Sequence, residues 1–230
     1  MKNIYLLLFF ALSICSAYSQ QSECDCSSDE DYGIRLQAGL IGFEYYNPVE
    51  GYEGEQYFNN WTLGEVMLSN GDLIENIFLR YDKYLDALLW LRKTDFKAGI
   101  LNKGAIAGFR FFDDRHNLTA SFVKKKIVLS RSDSTEAFLQ VLASGELTFC
   151  VYRNVSILTN DYRLSDNTKY FITGNGQDFL LDLNRKSFLD LPVIQQTEMK
   201  NILRTNRISL RNKEENFIQA ISLYNTAYKK

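Results

Sequence analysis

From Gly64 onward the chain is written in short apolar runs separated by turn residues. Glu65-Val66-Met67-Leu68 leads into Ser69-Asn70-Gly71-Asp72, and Leu73 to Tyr81 follows. An Asn-Gly pair between β-prone runs predicts a hairpin with a type I′ turn, in which both central residues take positive φ. Leu85 to Leu91 is apolar on both faces and reads as a central strand. Further runs occupy 97–101, 105–112 and 118–129, with turns at Asn102-Lys103-Gly104 and at 113–117. Over 147–157 the alternation is cleanest. Leu147, Phe149, Val151, Val155 and Ile157 point one way, and Thr148, Cys150, Tyr152, Asn154 and Ser156 the other. Arg153 is the charged exception on the apolar face, and Cys150 falls on the polar face. A last hairpin spans 169–183 and turns at Gly174-Asn175-Gly176.

Helical periods appear in three places. Over 133–145, Asp133 and Glu136 form a capping box, Phe138, Leu139 and Leu142 share a face, and Gly145 provides a stop. Met199, Ile202 and Leu203 mark a second helix, closed by Asn206 in the left-handed conformation. Asn212 and Glu215 cap a third, whose stripe is Phe217, Ile218, Ile221, Tyr224 and Tyr228. These elements predict a single α+β domain of antiparallel β-hairpins forming a curved sheet or partial barrel, with one inserted helix and two C-terminal helices. An outer-membrane barrel would need regular alternation to the end of the chain.

The N-terminus changes the picture. Lys2 precedes the apolar run 4–12, and Ala17-Tyr18-Ser19 follows, as in a secretory signal peptide with its cleavage site. The expected divisions are a signal at 1–19, a polar leader at 20–31 and the folded domain at 32–230. Ile14 before Cys15 is not the small residue a lipid-anchored variant needs. Loss of Cys15 leaves Cys24, Cys26 and Cys150. A Cys24–Cys26 ring would be strained. Cys150 is left either free or bridged to one of the pair, with Cys26 the candidate partner; a metal or redox role for C-x-C has no further ligands to support it.

Composition narrows the function classes. The 230 residues are 46% hydrophobic and 23% charged, which suits a folded globular chain. A formal charge of −2 argues against a general nucleic-acid binder. A single histidine removes most zinc sites and triads.

The stretch Trp61 to Asp86 reads W-T-L-G-E-V-M-L-S-N-G-D-L-I-E-N-I-F-L-R-Y-D-K-Y-L-D. Its G-x-V-x-L-x-N-G hairpin followed by L-R-Y-D resembles a group of small exported proteins from Bacteroidetes-type bacteria. The likeness extends to the C-terminal helix pair, the basic Asn-containing turn Arg207 to Asn212, and the closing Tyr224-Asn225. It implies export and a β-rich fold, and no activity comes with it. Asp133-Ser134-Thr135 is similar to the short motif that carries O-linked sugars in such bacteria, making Ser134 the candidate modified residue.

Candidate chemistry is sparse. Arg80, Asp82 and Asp86 form either a ligand patch or an Arg–Asp pair holding a turn. Tyr45 and Tyr46, in a tyrosine-rich segment, join Arg80 and Asp82 as candidate binding residues. No spacing selects two acids for glycoside chemistry, no nucleophile elbow is present, and nothing in sequence joins His116 to Cys150. The expectation is an exported non-catalytic domain that binds an envelope protein, peptide or glycan, without cofactor or metal. A small periplasmic carboxylate-dependent hydrolase and a structural envelope protein are the alternatives.

Overall fold

A computed structural model describes residues 41–45, 53–92, 96–130, 133–158, 163–211 and 213–228. Among these, the strands are β1 (Ile41–Glu44), β2 (Thr62–Leu68), β3 (Leu73–Asp82), β4 (Ala87–Leu91), β5 (Ala98–Leu101), β6 (Ile106–Phe112), β7 (Leu118–Ser130), β8 (Asp133–Ala143), β9 (Thr148–Tyr152), β10 (Val155–Leu158), β11 (Arg163–Asp166), β12 (Lys169–Gly174) and β13 (Gln177–Leu181). The helices are a single turn α1 (Glu53–Gln56), a short α2 (Arg185–Leu189), α3 (Gln196–Thr205) and α4 (Glu214–Ala227). One open antiparallel sheet of eleven strands runs β1-β5-β4-β3-β2-β6-β7-β8-β9-β12-β13, and β10 with β11 forms a separate hairpin. The α+β class with two C-terminal helices is as the sequence predicts. No helix among the described residues is long and apolar enough to cross a membrane.

One face of the sheet holds two apolar clusters. Over β2 to β8 it is aromatic: Tyr81, Phe109, Phe111, Phe122 and Phe138 are buried together, with Phe109 stacked on Phe122 at 4.6 Å. Over β9, β12 and β13 the helices close it, and Phe149, Ile172, Phe188, Met199, Phe217 and Ile221 make the second cluster. Gly64 permits the first cluster's tight strand spacing, since a Cβ there would stand 2.6 Å from the Arg110 carbonyl oxygen and 2.7 Å from Leu79 Cδ1. The end of α4 is tied down by Asn225, whose amide accepts from Leu147 N at 2.8 Å and donates to Leu147 O at 2.7 Å. A side chain thus completes backbone bonds that a strand partner would otherwise supply.

The structure corrects the sequence reading at several places. The inserted helix predicted over 133–145 is strand β8. There Ala137 and Leu139 face one side and Phe138 the other, and the ladder to both β7 and β9 overrides the local helical spacing. Gly145 is a loop residue at φ 157 packed against Asn225. The run 147–157 breaks at Arg153-Asn154, and β10 leaves the sheet to pair with β11. At the first hairpin only Gly71 takes positive φ. Asn70 instead accepts from Asp72 N, and Leu68 N donates to Asp72 O, giving a three-residue loop rather than type I′. The type I′ pattern occurs at Asn175-Gly176, with φ of 51 and 75, where Gly174 pairs with Gln177. At the end of α3, Asn206 has φ −94, and Arg207 takes the left-handed position at φ 55. At α4, Asn212 lies outside the described residues and Lys213 is the N-cap, without a side-chain cap bond.

Cys150 is the last correction. It is 2% exposed, not on a polar face within reach of a leader, because Ile127, Leu139, Tyr152 and Phe171 cover that side of the sheet as well. Its thiol is free, and burial pushes its pKa up to about 11 against a smaller opposing effect of Lys125. Cys26 lies outside the described residues. At neutral pH a thiol reagent should therefore label the Cys150 peptide only as fast as the sheet opens, and completely in denaturant. Peptide mapping after timed labelling checks this; rapid native labelling, or a linked Cys26–Cys150 peptide without reductant, would contradict it.

Candidate binding cleft

The tight turn after β3 organises the site. Asp82 ends β3 fully buried, and its Oδ1 accepts from Tyr84 N at 2.9 Å and Leu85 N at 3.0 Å. Its Oδ2 accepts from Gln56 Nε2 at 2.7 Å and from the Tyr45 hydroxyl at 2.8 Å. The Tyr45 oxygen also lies 2.7 Å from the Tyr57 hydroxyl and takes a bond from Gln56 Nε2 at 3.1 Å. Burial first, and then the bond to Tyr57 and the charge of Asp82, hold the Tyr45 phenol above its ordinary pKa. Phe58 N donates to Tyr81 O at 2.9 Å, and Lys83 N to the Gln56 carbonyl at 2.9 Å. One carboxylate thereby fastens Tyr45 and α1 to the β3–β4 turn.

Two of the four candidate binding residues, Tyr45 and Asp82, are therefore brought together, bonded to each other inside the protein. Arg80 does not pair with Asp82. Its guanidinium lies 4.4 Å from the Tyr57 ring centroid and 5.0 Å from that of Trp61, a cation–π stack. Tyr46 lies outside the described residues. Asp86, the third residue of that group, is buried at φ 48. It accepts from the Tyr81 hydroxyl at 2.7 Å and from Phe138 N at 3.3 Å, and it pairs with Lys103 Nζ at 2.6 Å. Burial raises its pKa despite the opposing Lys103 bond. Through these bonds Asp86 ties the end of β3 to β8.

A cleft of about 500 Å³ lies beside the Asp82 turn, lined by Glu55, Lys83, Arg153, Asn154, Asp166 and Thr168 over an apolar floor of Val155 and Leu164. Lys83 projects from the β3–β4 turn. Its ammonium is half-buried, and that burial lowers its pKa, with Asp166 acting in the opposite direction. Arg153, at the β9–β10 break, is held on both sides: Nε donates to Gln140 Oε1 at 2.9 Å and a terminal nitrogen to Glu214 Oε1 at 2.8 Å. Glu214 also bonds Tyr170, whose pKa burial lifts to about 12. Asn154 Nδ2 donates to the Lys83 carbonyl at 3.2 Å, joining the two cationic segments. Asp166 Oδ1 caps its own turn, accepting from Thr168 N at 2.9 Å and from the Thr168 hydroxyl.

The cleft therefore presents both signs of charge, with Arg153 and Asp166 anchored by side-chain bonds, a surface suited to polar ligands carrying donors and acceptors together. Sequence reasoning missed it because its residues are scattered over more than a hundred positions. One signal was present: Arg153 on an otherwise apolar strand face. His116 and Cys150 do not meet; His116 borders a groove with Leu63, Glu75 and Phe112, and Cys150 lies inside the β7-to-β12 cluster. Ser134 is exposed near the β7–β8 hairpin tip, in a strand rather than at a helix cap. Among the described residues no group of three or more metal-ligating side chains gathers. Comparison with protein-family models, curated proteins and solved structures returns no match.

Proposed function

We propose that this is an exported, non-catalytic binding domain and that the cleft takes a segment of peptide from an envelope protein. The observation that carries the reading is the presence of Lys83 and Arg153 with Glu55 and Asp166 in the lining of one cleft. A peptide offers alternating donors and acceptors and charges of both signs, which such a lining complements. The export half rests on the signal-like pattern of residues 1–19. A glycan remains the other ligand this lining suits, through Asn154 and Thr168.

In-cell crosslinking tests it. A photo-crosslinking residue at Thr168 should capture a defined partner, and the same probe at Leu180, an exposed position on edge strand β13, should not. Adding Lys83→Glu should abolish capture from Thr168. Capture that persists unchanged in Lys83→Glu places the partner elsewhere.

A second reading has one specific observation behind it: Glu55 and Asp166 share the cleft, as the paired acids of a hydrolase would. Against it, Asp166 Oδ1 is occupied by the Thr168 turn, and the carboxyl whose pKa burial raises, Asp86, lies in another part of the fold.

A further inference from the structure

Residues 185–211 carry six basic side chains against two acids, in a chain whose formal charge is −2. The fold gathers four of the six. Arg185, opening α2, Lys200 and Arg204 on α3, and Arg207 just past its C-terminus line a cavity of about 410 Å³. Its remaining lining is neutral: Asn201, with Leu203 and Ile208 beneath. Ion pairs elsewhere among the described residues join Arg110 to Glu65, Lys103 to Asp86, Arg153 to Glu214, and Lys125 to Asp178. None of the four cavity cations makes an ion pair among the described residues. Lys200 Nζ reaches only Gln196 Oε1, at 3.2 Å.

Offsetting a helix dipole accounts for part of this. A cation in the last turn of α3 stabilises the helix's negative end, and that suffices for Arg204. It does not account for Arg185, which belongs to another helix, nor for Arg207. Arg207 occupies the left-handed position that Gly or Asn adopts with little strain. Asn206 stands next to it, yet the arginine takes the position. Ile208 N donates to Leu203 O at 2.9 Å and Arg207 N to Arg204 O at 3.3 Å, and buried Ile208 anchors the turn, so the root of the Arg207 side chain is fixed beside the cavity. Like charges assembled in this way repel one another until an anion lies between them.

We propose that this cavity is an anion site for a phosphate group, independent of the cleft beside Asp82. Three guanidinium groups and an ammonium around one concavity supply planar, forked donors to the several oxygens of a multiply charged group, which phosphate provides and a single carboxylate does not. The compact arrangement, without a stripe of cations leading away from it, suits one or two phosphates rather than a nucleic-acid backbone. Such a group is borne either by a small soluble molecule or by a lipid headgroup, and the same donors serve both.

The test uses the full chain. Inorganic pyrophosphate, added at constant ionic strength, should raise the melting temperature above that in matched sodium chloride, and calorimetric titration should show saturable binding. Arg204→Gln and Arg207→Gly should each weaken that binding by about tenfold or more, the loss expected for one charge-assisted contact. Arg207→Gly removes the left-handed strain, so it should melt no lower than the parent without ligand, which separates loss of the site from loss of the fold. In parallel, phosphatidylcholine vesicles with and without phosphatidylglycerol distinguish the source. Variant-sensitive binding to pyrophosphate identifies a soluble phosphate, and variant-sensitive binding to the anionic vesicles alone identifies a headgroup. Binding to neither probe, or binding that both variants leave unchanged, overturns the proposal.

Discussion

Ile221→Asp should leave the protein largely unfolded at room temperature. Ile221 is fully buried on α4 within the cluster built around Phe149, Phe188 and Phe217, and the last two rings meet edge to face at 5.5 Å. The substitution removes burial worth about 1.5–3 kcal/mol. It also forces a carboxyl into a site with no partner, at a further cost of several kcal/mol or a matching shift in its pKa. A domain of this kind holds only about 5–15 kcal/mol in all. Circular dichroism melts should show the cooperative transition lost or shifted far down. Phe96→Asp, at a position 77% exposed, should melt close to the parent. A near-parental melt for Ile221→Asp would mean that α4 docks on the sheet without contributing to its core.

Asp82→Ala should be the next most damaging change. Four donors converge on this carboxylate: the Tyr45 hydroxyl, the Gln56 amide, and the backbone N–H groups of Tyr84 and Leu85. Removing the acceptor leaves buried donors unpaired, each costing about 1–3 kcal/mol where water does not reach it. A loss of about 3–5 kcal/mol is expected, as for two or more such donors left unpaired. Asp82→Asn keeps the shape and one acceptor oxygen and should lose less. Tyr45→Phe removes a single bond and should cost about 1 kcal/mol. Urea denaturation of the three variants gives the order directly. If Tyr45→Phe proved as costly as Asp82→Ala, the tyrosine rather than the carboxylate would be the anchor of the N-terminal segment.

That order bears on function. A tyrosine-rich segment reads in sequence as a binding surface, and the structure turns the Tyr45 phenol inward to Asp82. What stays exposed nearby is the mixed-charge cleft, with Lys83 carried by the same turn and Arg153 held by Gln140 and Glu214. The candidate site was thus half visible beforehand. Arg80 and Asp82 mark the right turn, yet they serve as its scaffold, while Lys83, the residue between them and the next strand, faces the cleft.

The sequence alone determined the features whose physics is local. The β-prone runs of β2 and β3, the run of β4 that is apolar on both faces, the alternation of β9, glycine and asparagine at the turns, and the 3.6-residue stripe of α4 each depend on neighbours a few positions away, and these elements stand where the pattern puts them. Tertiary structure decided the rest. Phe138, Leu139 and Leu142 fit a helix face as well as a strand, and only the empty ladder positions of β7 and β9 on either side make β8 extended. The alternation over 147–157 is marred only by Arg153, yet the chain leaves the sheet there, where Arg153 finds Gln140 and Glu214 and Asn154 finds the Lys83 carbonyl. The same long-range closure assembles the cleft from Glu55, Lys83, Arg153 and Asp166, and the basic cavity from α2 and α3. Such groups meet only after the sheet has formed, and no period within one segment encodes a contact between segments.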